Sequence, residues 1–456
     1  MSPPVKFAFA AFVALAGAAA TARGVRVRGA ARASGAAAAT VGLLDEIFAG
    51  YRRRDFAVRL WDGSTWHPAG DEAARFTLVL RHPGALRAML LPSPDELSLG
   101  EAYVSDDFDI EGDLEAVFPL ADHLLAGPRR GAGERVRLGR RLLELPRGRD
   151  SRGGAAARLR GRKHSRARDR QAVAYHYDRS NEFFALFLDS RMVYSCAYFA
   201  EPDLDLETAQ ERKLDYICRK LRLEPGERLL DVGCGWGGLA IHAAARYGAD
   251  VVAITLSARQ ADLARERVAA AGLERTCRID VRDYRDVDEI DAYDKLVSVG
   301  MFEHVGERLL PEYFARAWRA LRPGGVFLNH GIARSADPPR RRRRSFSQRY
   351  VFPDGELVPL PATLATAETA GFEIRDVESL REHYALTLRH WLRRLEARRD
   401  EARRVADEAT YRIWRLYMAG SAYGFDTGRL NVHQALLVKP GGGVSSLPLT
   451  RSDWYR

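Results

Sequence analysis

Leu43, Leu44, Ile47 and Phe48 recur at helical spacing where an ordered pattern first emerges along the chain. Residues 57–61 and 75–81 then alternate apolar and polar positions as half-buried strands do, and Asp62-Gly63 after the first reads as a turn. The pattern predicts a small α+β unit over residues 41–145 with no convergent catalytic set, its acidic stretch 101–113 reading as a solvated surface. From about Gln171 the rhythm changes. Short apolar runs at 228–232, 250–255, 295–299 and 325–330 are bounded by turn residues, with helical stretches such as 258–271 and 311–321 between them. Such alternation predicts an α/β unit over about 171–440, a parallel sheet covered by helices on both faces. A helical insertion is expected at about 335–365, opening with the run Arg340–Arg344, and a short tail at 441–456. No internal repeat is visible.

Composition is ordinary for a folded protein: of 456 residues, 46% are hydrophobic and 29% charged. A net charge of +10 suits an anionic partner, either nucleic acid or acidic phospholipid. Much of the excess falls in 146–170, where ten Lys or Arg face two Asp, and this segment reads as an exposed basic linker. Cys196, Cys218, Cys234 and Cys277 show neither a CxxC pair nor zinc-ligand spacing, so reduced thiols and no metal are expected. Residues 1–40 form an Ala/Arg-rich leader. Its apolar stretch 7–22 resembles a secretory signal, but the following arginines and the lack of any acidic residue before Asp45 favour a transit segment or disordered tail.

The sharpest local signal is Leu230-Asp-Val-Gly-Cys-Gly-Trp-Gly-Gly238. A strand ends at Val232, and Gly233, Gly235 and Gly237 make a turn into a helix starting near Leu239. Glycines there permit positive φ and close approach of a ligand to the backbone. Dinucleotide enzymes use similar turns, yet the spacing is not GxGxxG. Asp231 sits where a carboxylate can hold a ligand's ammonium, and the reading favours S-adenosyl-L-methionine (SAM).

Five stretches in this order carry a wider resemblance: 194–199 (YSCAYF), 230–238, 254–260 (ITLSARQ), 298–306 (SVGMFEHVG) and 383–388 (HYALTL). Together they resemble the cyclopropane-fatty-acyl-phospholipid synthases and the related mycolic acid methyltransferases, over about 172–440. The resemblance implies a Rossmann-like class I methyltransferase sheet preceded by a small N-terminal domain associated with lipid. It implies cofactor contacts from Tyr194, Ser195, Gly233, Cys234, Gly235, Thr255, Leu256, Ser257 and Gln260, with Tyr284 and Val299 near the adenine. It also implies a bicarbonate ion as the base, held by Cys196, Glu303, His330, the backbone of Ile332, and Tyr384. The residues alone nominate Glu303 and His304 as a base pair beyond a strand end; the resemblance gives the role to Glu303. Two departures stand out. Ser421 replaces a cysteine that some members carry, and Arg179 and Ser180 alter an otherwise familiar stretch.

The implied chemistry is attack of an alkene on a sulfonium methyl. The resulting carbocation needs aromatic faces, a dry pocket and a base that removes one methyl proton. The expected substrate is an unsaturated phospholipid acyl chain at an anionic membrane surface, with the enzyme cytoplasmic and peripherally associated; a homodimer is compatible with it. Methylation of the acyl chain to a methyl- or methylene-branched lipid is the alternative within the family. Nucleic-acid methylation is the alternative from another class, but the basic segments lack the interleaved aromatics that stack on bases.

Overall fold

The computed structural model describes residues 35–91, 95–126, 131–147, 156–177, 180–336, 345–443, 445 and 447–455. Most of the leader, the 340–344 arginine run and Arg179 lie outside the described residues.

The first described helix begins earlier than 41. A helix runs Gly35–Phe48, with Ala37 and Thr40 already fully buried. Its face carries Leu43, Leu44, Ile47 and Phe48 against a four-stranded sheet, β1 (Phe56–Arg59), β2 (Thr65–Trp66), β3 (Phe76–Leu80) and β4 (Phe108–Gly112), ordered β2-β1-β3-β4. The Asp62-Gly63 turn joins β1 to β2; the Asp62 carboxylate accepts from the Ser64 backbone at 3.0 Å and Gly63 has φ +85°.

The larger sheet holds β5 (Arg228–Val232), β6 (Asp250–Thr255), β7 (Cys277–Val281), β8 (Tyr293–Val299), β9 (Leu321–Arg334), β10 (Glu373–Ser379) and β11 (Leu430–Val438). Its order is β10-β11-β9-β8-β5-β6-β7. The run β9-β8-β5-β6-β7 is parallel as expected, but β11 lies antiparallel between β9 and β10, so the sheet is mixed. Helices Leu206–Leu221, Gly238–Tyr247, Ala258–Ala270 and Leu310–Ala320 cover it. Strand order reverses beside β5, where a crevice opens at the carboxyl ends of an α/β sheet.

Two surface readings change. The acidic stretch 101–113 is not simply solvated: Asp107 is fully buried and Asp109 nearly so. Arg412, on the helix Glu408–Asp426, donates to Tyr103 O, Asp106 Oδ1 and Phe108 O, each at 2.9 Å, and Arg415 on the same helix donates to the Tyr103 hydroxyl at 2.8 Å. The stretch is acidic because it docks two buried arginines. The basic segment, where described, is likewise tied down. His164 is buried, the helix Arg166–Tyr177 starts inside the segment, and Lys163, Arg168 and Asp169 pair with Glu356, Asp354 and Arg285. Opposite charges further along the chain hold it on the body. Around 335–365, the described residues hold a short helix, Phe346–Tyr350, and the start of Leu360–Thr369. The tail also returns: Trp454 is buried with Lys220, Arg222 and Arg451 over its ring.

Candidate active site

The turn after β5 is built by its glycines. Gly233, Gly235 and Gly237 have φ of +90°, +55° and +79°, which side chains with a Cβ adopt at a cost. The N–H groups of Gly233 and Cys234 both donate to Ile254 O on β6, at 2.9 and 3.0 Å, pinning the turn to the neighbouring strand. A Cβ on Gly235 would meet only the Gln260 amide nitrogen, at 4.0 Å, and so would project into open space. That space is a cavity, partly open to solvent, at the carboxyl ends of β5, β6 and β8.

Tyr194, Ser195, Asp231, Gly233, Cys234, Gly235, Thr255, Leu256, Gln260, Tyr284 and Val299 all line it. Gly237 and Ser257 stand behind the wall. Ser257 caps the helix Ala258–Ala270, its hydroxyl accepting from Gln260 N, while Gly237 packs close to Ala264. The Thr255 hydroxyl bonds Gln260 Oε1 at 2.9 Å, which turns the Gln260 NH₂ toward the cavity. Burial pushes the Asp231 carboxyl up to about 7, and its Oδ2 is buried without a hydrogen-bond partner.

The five residues implied as a base site lie behind this cavity rather than lining it. The Ile332 N–H, on β9, donates to Glu303 Oε1 at 2.7 Å, while Glu303 Oε2 is buried and unpartnered. Burial raises the Glu303 carboxyl to about 7, an effect the Ile332 bond opposes. His330 bonds Gln434 of β11 through Nδ1 at 3.1 Å and leaves Nε2 unpartnered; burial lowers it to about 3, so the ring is neutral. The Cys196 thiol donates to Ala197 O and Leu380 O, and burial raises it far enough to keep it protonated. Tyr384 packs against Phe425 with ring centroids 4.7 Å apart and lies near Cys196 and Glu303. His304, the rival base, does line the cavity, and burial lowers it to about 4.

Between the two zones stands an aromatic wall. Tyr177, Tyr194 and Trp236 face the cavity, and Phe184, Trp391 and Trp414 pack behind them at centroid separations of 5.0–5.2 Å. Ser180 caps the helix Asn181–Ala185, and Asn181 accepts from the Trp236 indole at 2.8 Å. Sequence reasoning missed Lys213, which also lines the cavity and donates to Ser195 Oγ at 2.8 Å. A signal existed. Gln210 and Lys213 sit one turn apart among Leu206, Ala209, Leu214 and Ile217, two polar residues on the buried face of their helix.

Strand order, the glycine turn and the cavity beside it define the class: this is a SAM-dependent methyltransferase with a Rossmann-like sheet. Comparison with known proteins narrows it. Residues 164–435 match the family model described as mycolic acid cyclopropane synthetase, and residues 43–123 match one described as a domain of unknown function. A probable fatty acid methyltransferase of Pseudomonas putida is 44% identical over 403 residues, covering 88% of this chain and 96% of that protein. A probable fatty acid methyltransferase of Mycobacterium tuberculosis is 37% identical over 427 residues, covering 90% and 97%. The solved structure of mycolic acid cyclopropane synthase CmaA1 complexed with SAH and CTAB is 36% identical with a TM-score of 0.56, covering 59% of this chain and 97% of that one. The chain belongs to the mycolic acid cyclopropane synthetase family, whose members modify lipids.

Proposed function

We propose that this protein transfers a methyl group from SAM to a double bond in an unsaturated phospholipid acyl chain and closes it to a cyclopropane ring. The observation that carries the reading is the Glu303 carboxyl, buried, clamped at one oxygen by the Ile332 N–H, free at the other, and set near a wall of aromatic rings. SAM, when bound, supplies a sulfonium methyl that an alkene can attack. Gly233, Gly235 and Gln260 seat it; Tyr177, Tyr194 and Trp236 exclude water and offer π faces to positive charge. Glu303 then orients the base that takes one proton from the transferred methyl.

A small anion that carries a proton suits these side chains, because Glu303 Oε2 and His330 Nε2 are both buried without partners: the anion's O–H can donate to Glu303 while the His330 N–H donates to the anion. Bicarbonate would be held there with help from Tyr384, Cys196 and the Ile332 backbone, and would supply a base. Of these, the Ile332 N–H is engaged by Glu303 and the Cys196 thiol by two carbonyls, so Glu303 and His330 are the principal ligands.

A lipid surface is the proposed partner, approached from the cytoplasmic side. Among the described residues no helix is long and apolar enough to cross a membrane. The helix Ala132–Glu144, however, exposes Val136 and Leu143 alongside Arg137 and Arg140, a combination suited to an anionic interface. The names of the Pseudomonas and Mycobacterium relatives favour a second reading, methylation of a fatty acyl chain without ring closure. Mass analysis of unsaturated phospholipid vesicles incubated with enzyme and SAM separates the two. A gain of CH₂ with loss of the alkene supports the ring; a gain of CH₂ and two hydrogens, or an alkene that survives beside the added carbon, overturns it in favour of branching.

A further inference from the structure

We propose that Lys213 grips the carboxylate of the cofactor's amino-acid end, opposite Asp231 at its ammonium. The inference rests on the methyltransferase reading of the cavity and adds how its polar end is recognised. Lys213 is 1% exposed, and an ammonium is costly to bury unless something compensates it. Its hydrogen-bonding partner is a neutral hydroxyl, Ser195 Oγ at 2.8 Å. An ammonium carries three donors, so two remain for a ligand. Asp189 and Asp231 act on Lys213 electrostatically, yet neither forms an ion pair with it. Asp189 is occupied by the backbone N–H groups of Arg191 and Val193, at 3.1 and 2.8 Å. A purely structural lysine would be expected to sit against one of these carboxylates.

The surroundings favour an amino-acid zwitterion. Lys213 and Asp231 line the same cavity as Gly233 and Gly235, two opposite charges held apart on one wall, with Asp231 Oδ2 unpartnered. One turn before Lys213, Gln210 donates to Val193 O and Ser195 O at 3.2 and 2.9 Å, fixing the segment that presents Ser195. Because Ser195 Oγ accepts from Lys213, its own proton is free to be donated to a carboxylate. Lys213 and Ser195 thus form a two-donor clamp.

The test compares two ligands by calorimetry: S-adenosylhomocysteine, and its decarboxylated analogue, which keeps the amine. In Lys213→Met, affinity for S-adenosylhomocysteine should fall on the order of ten- to a hundredfold, the usual worth of a charge-assisted hydrogen bond, while the analogue binds as in the wild type. Equal losses for both ligands, or none, overturn the assignment. Wild-type protein that binds neither ligand sinks the SAM reading itself, a different result. Should the variant not fold, the wild type still decides. Burial lowers the Lys213 ammonium to about 8. The groups facing it are Asp231 on β5, Asp189 and Cys196 on the preceding segment, and His330 on β9, neutral well below that range. The preference for S-adenosylhomocysteine over the analogue should therefore shrink as pH rises through about 8. A preference that stays flat across that range overturns the proposal.

Discussion

Glu303 joins function to stability through one proton. Burial moves its carboxyl from an ordinary 4.5 to about 7, so between those values the folded protein holds a proton that the unfolded chain has released. Below about pH 4.5 both states are protonated and the site is neutral in effect; as pH rises through 7 the folded state must carry a buried charge. At about 1.4 kcal/mol per pKa unit, the carboxylate costs the folded state about 3 kcal/mol above pH 7. Glu303→Gln should therefore melt a few degrees higher than wild type at pH 8, as read by calorimetry. The same variant should turn over phospholipid ~10²–10³-fold more slowly with unchanged cofactor affinity. His304→Asn should be mild, and a dead His304→Asn beside a fast Glu303→Gln would move the base to His304. Glu303 and His304 were visible in the sequence because both follow an apolar run. The resemblance named the Ile332 backbone but not its bond to Glu303, made from β9; Lys213 was invisible, since its helix disguised it among surface-type charges.

Elements differ in how plainly they announce themselves. β5, β6 and β8 are buried on both faces and read as continuous apolar runs. β7 (CRIDV) and β10 (EIRDVES) are edge strands, and the charges that protect an edge also hide it from a hydrophobicity pattern. β11 (LNVHQALLV) carries His433 and Gln434 in its middle and follows a long helix, so it too escaped. The glycine turn was legible because its chemistry is local. Gly235→Val places a β-branched side chain at φ +55° and in the open cavity. SAM binding by calorimetry should vanish while the circular dichroism stays native. The contact between the acidic stretch and the helix Glu408–Asp426 was not legible, since its partners lie about three hundred residues apart. Arg412→Met should leave the Tyr103 and Phe108 carbonyls without their donor, while Asp106 and Asp109 keep Arg81, and cost ~1–3 kcal/mol. An undiminished urea midpoint, followed by tryptophan fluorescence, would show that this contact carries little.

At the scale of the molecule, charge was read correctly in amount but not in deployment. Part of the basic segment is spent on Glu356, Asp354 and Asp286, which weakens it as a source of membrane attraction. On Ala132–Glu144, Arg137 shares Glu46 with Arg141, whereas Arg140 is exposed, and each basic side chain near an anionic surface contributes on the order of 1 kcal/mol, screened within a Debye length. Sedimentation with vesicles should show binding that rises with anionic lipid and weakens with salt. Binding indifferent to salt would indicate apolar insertion through Val136 and Leu143, and binding to nucleic acid in preference to vesicles would restore the alternative set aside from the sequence.

The place of β11 sets an order in time. Among the described residues it is the last strand in chain order, yet it fills an interior slot of the sheet and brings Gln434 to His330. While the chain is being made, β5 to β8 can pair and shape the cofactor turn, but β9 keeps an open edge. The glycine turn can thus form before Gln434 reaches His330. A chain halted before 430 would keep that edge exposed, a template for pairing with other copies.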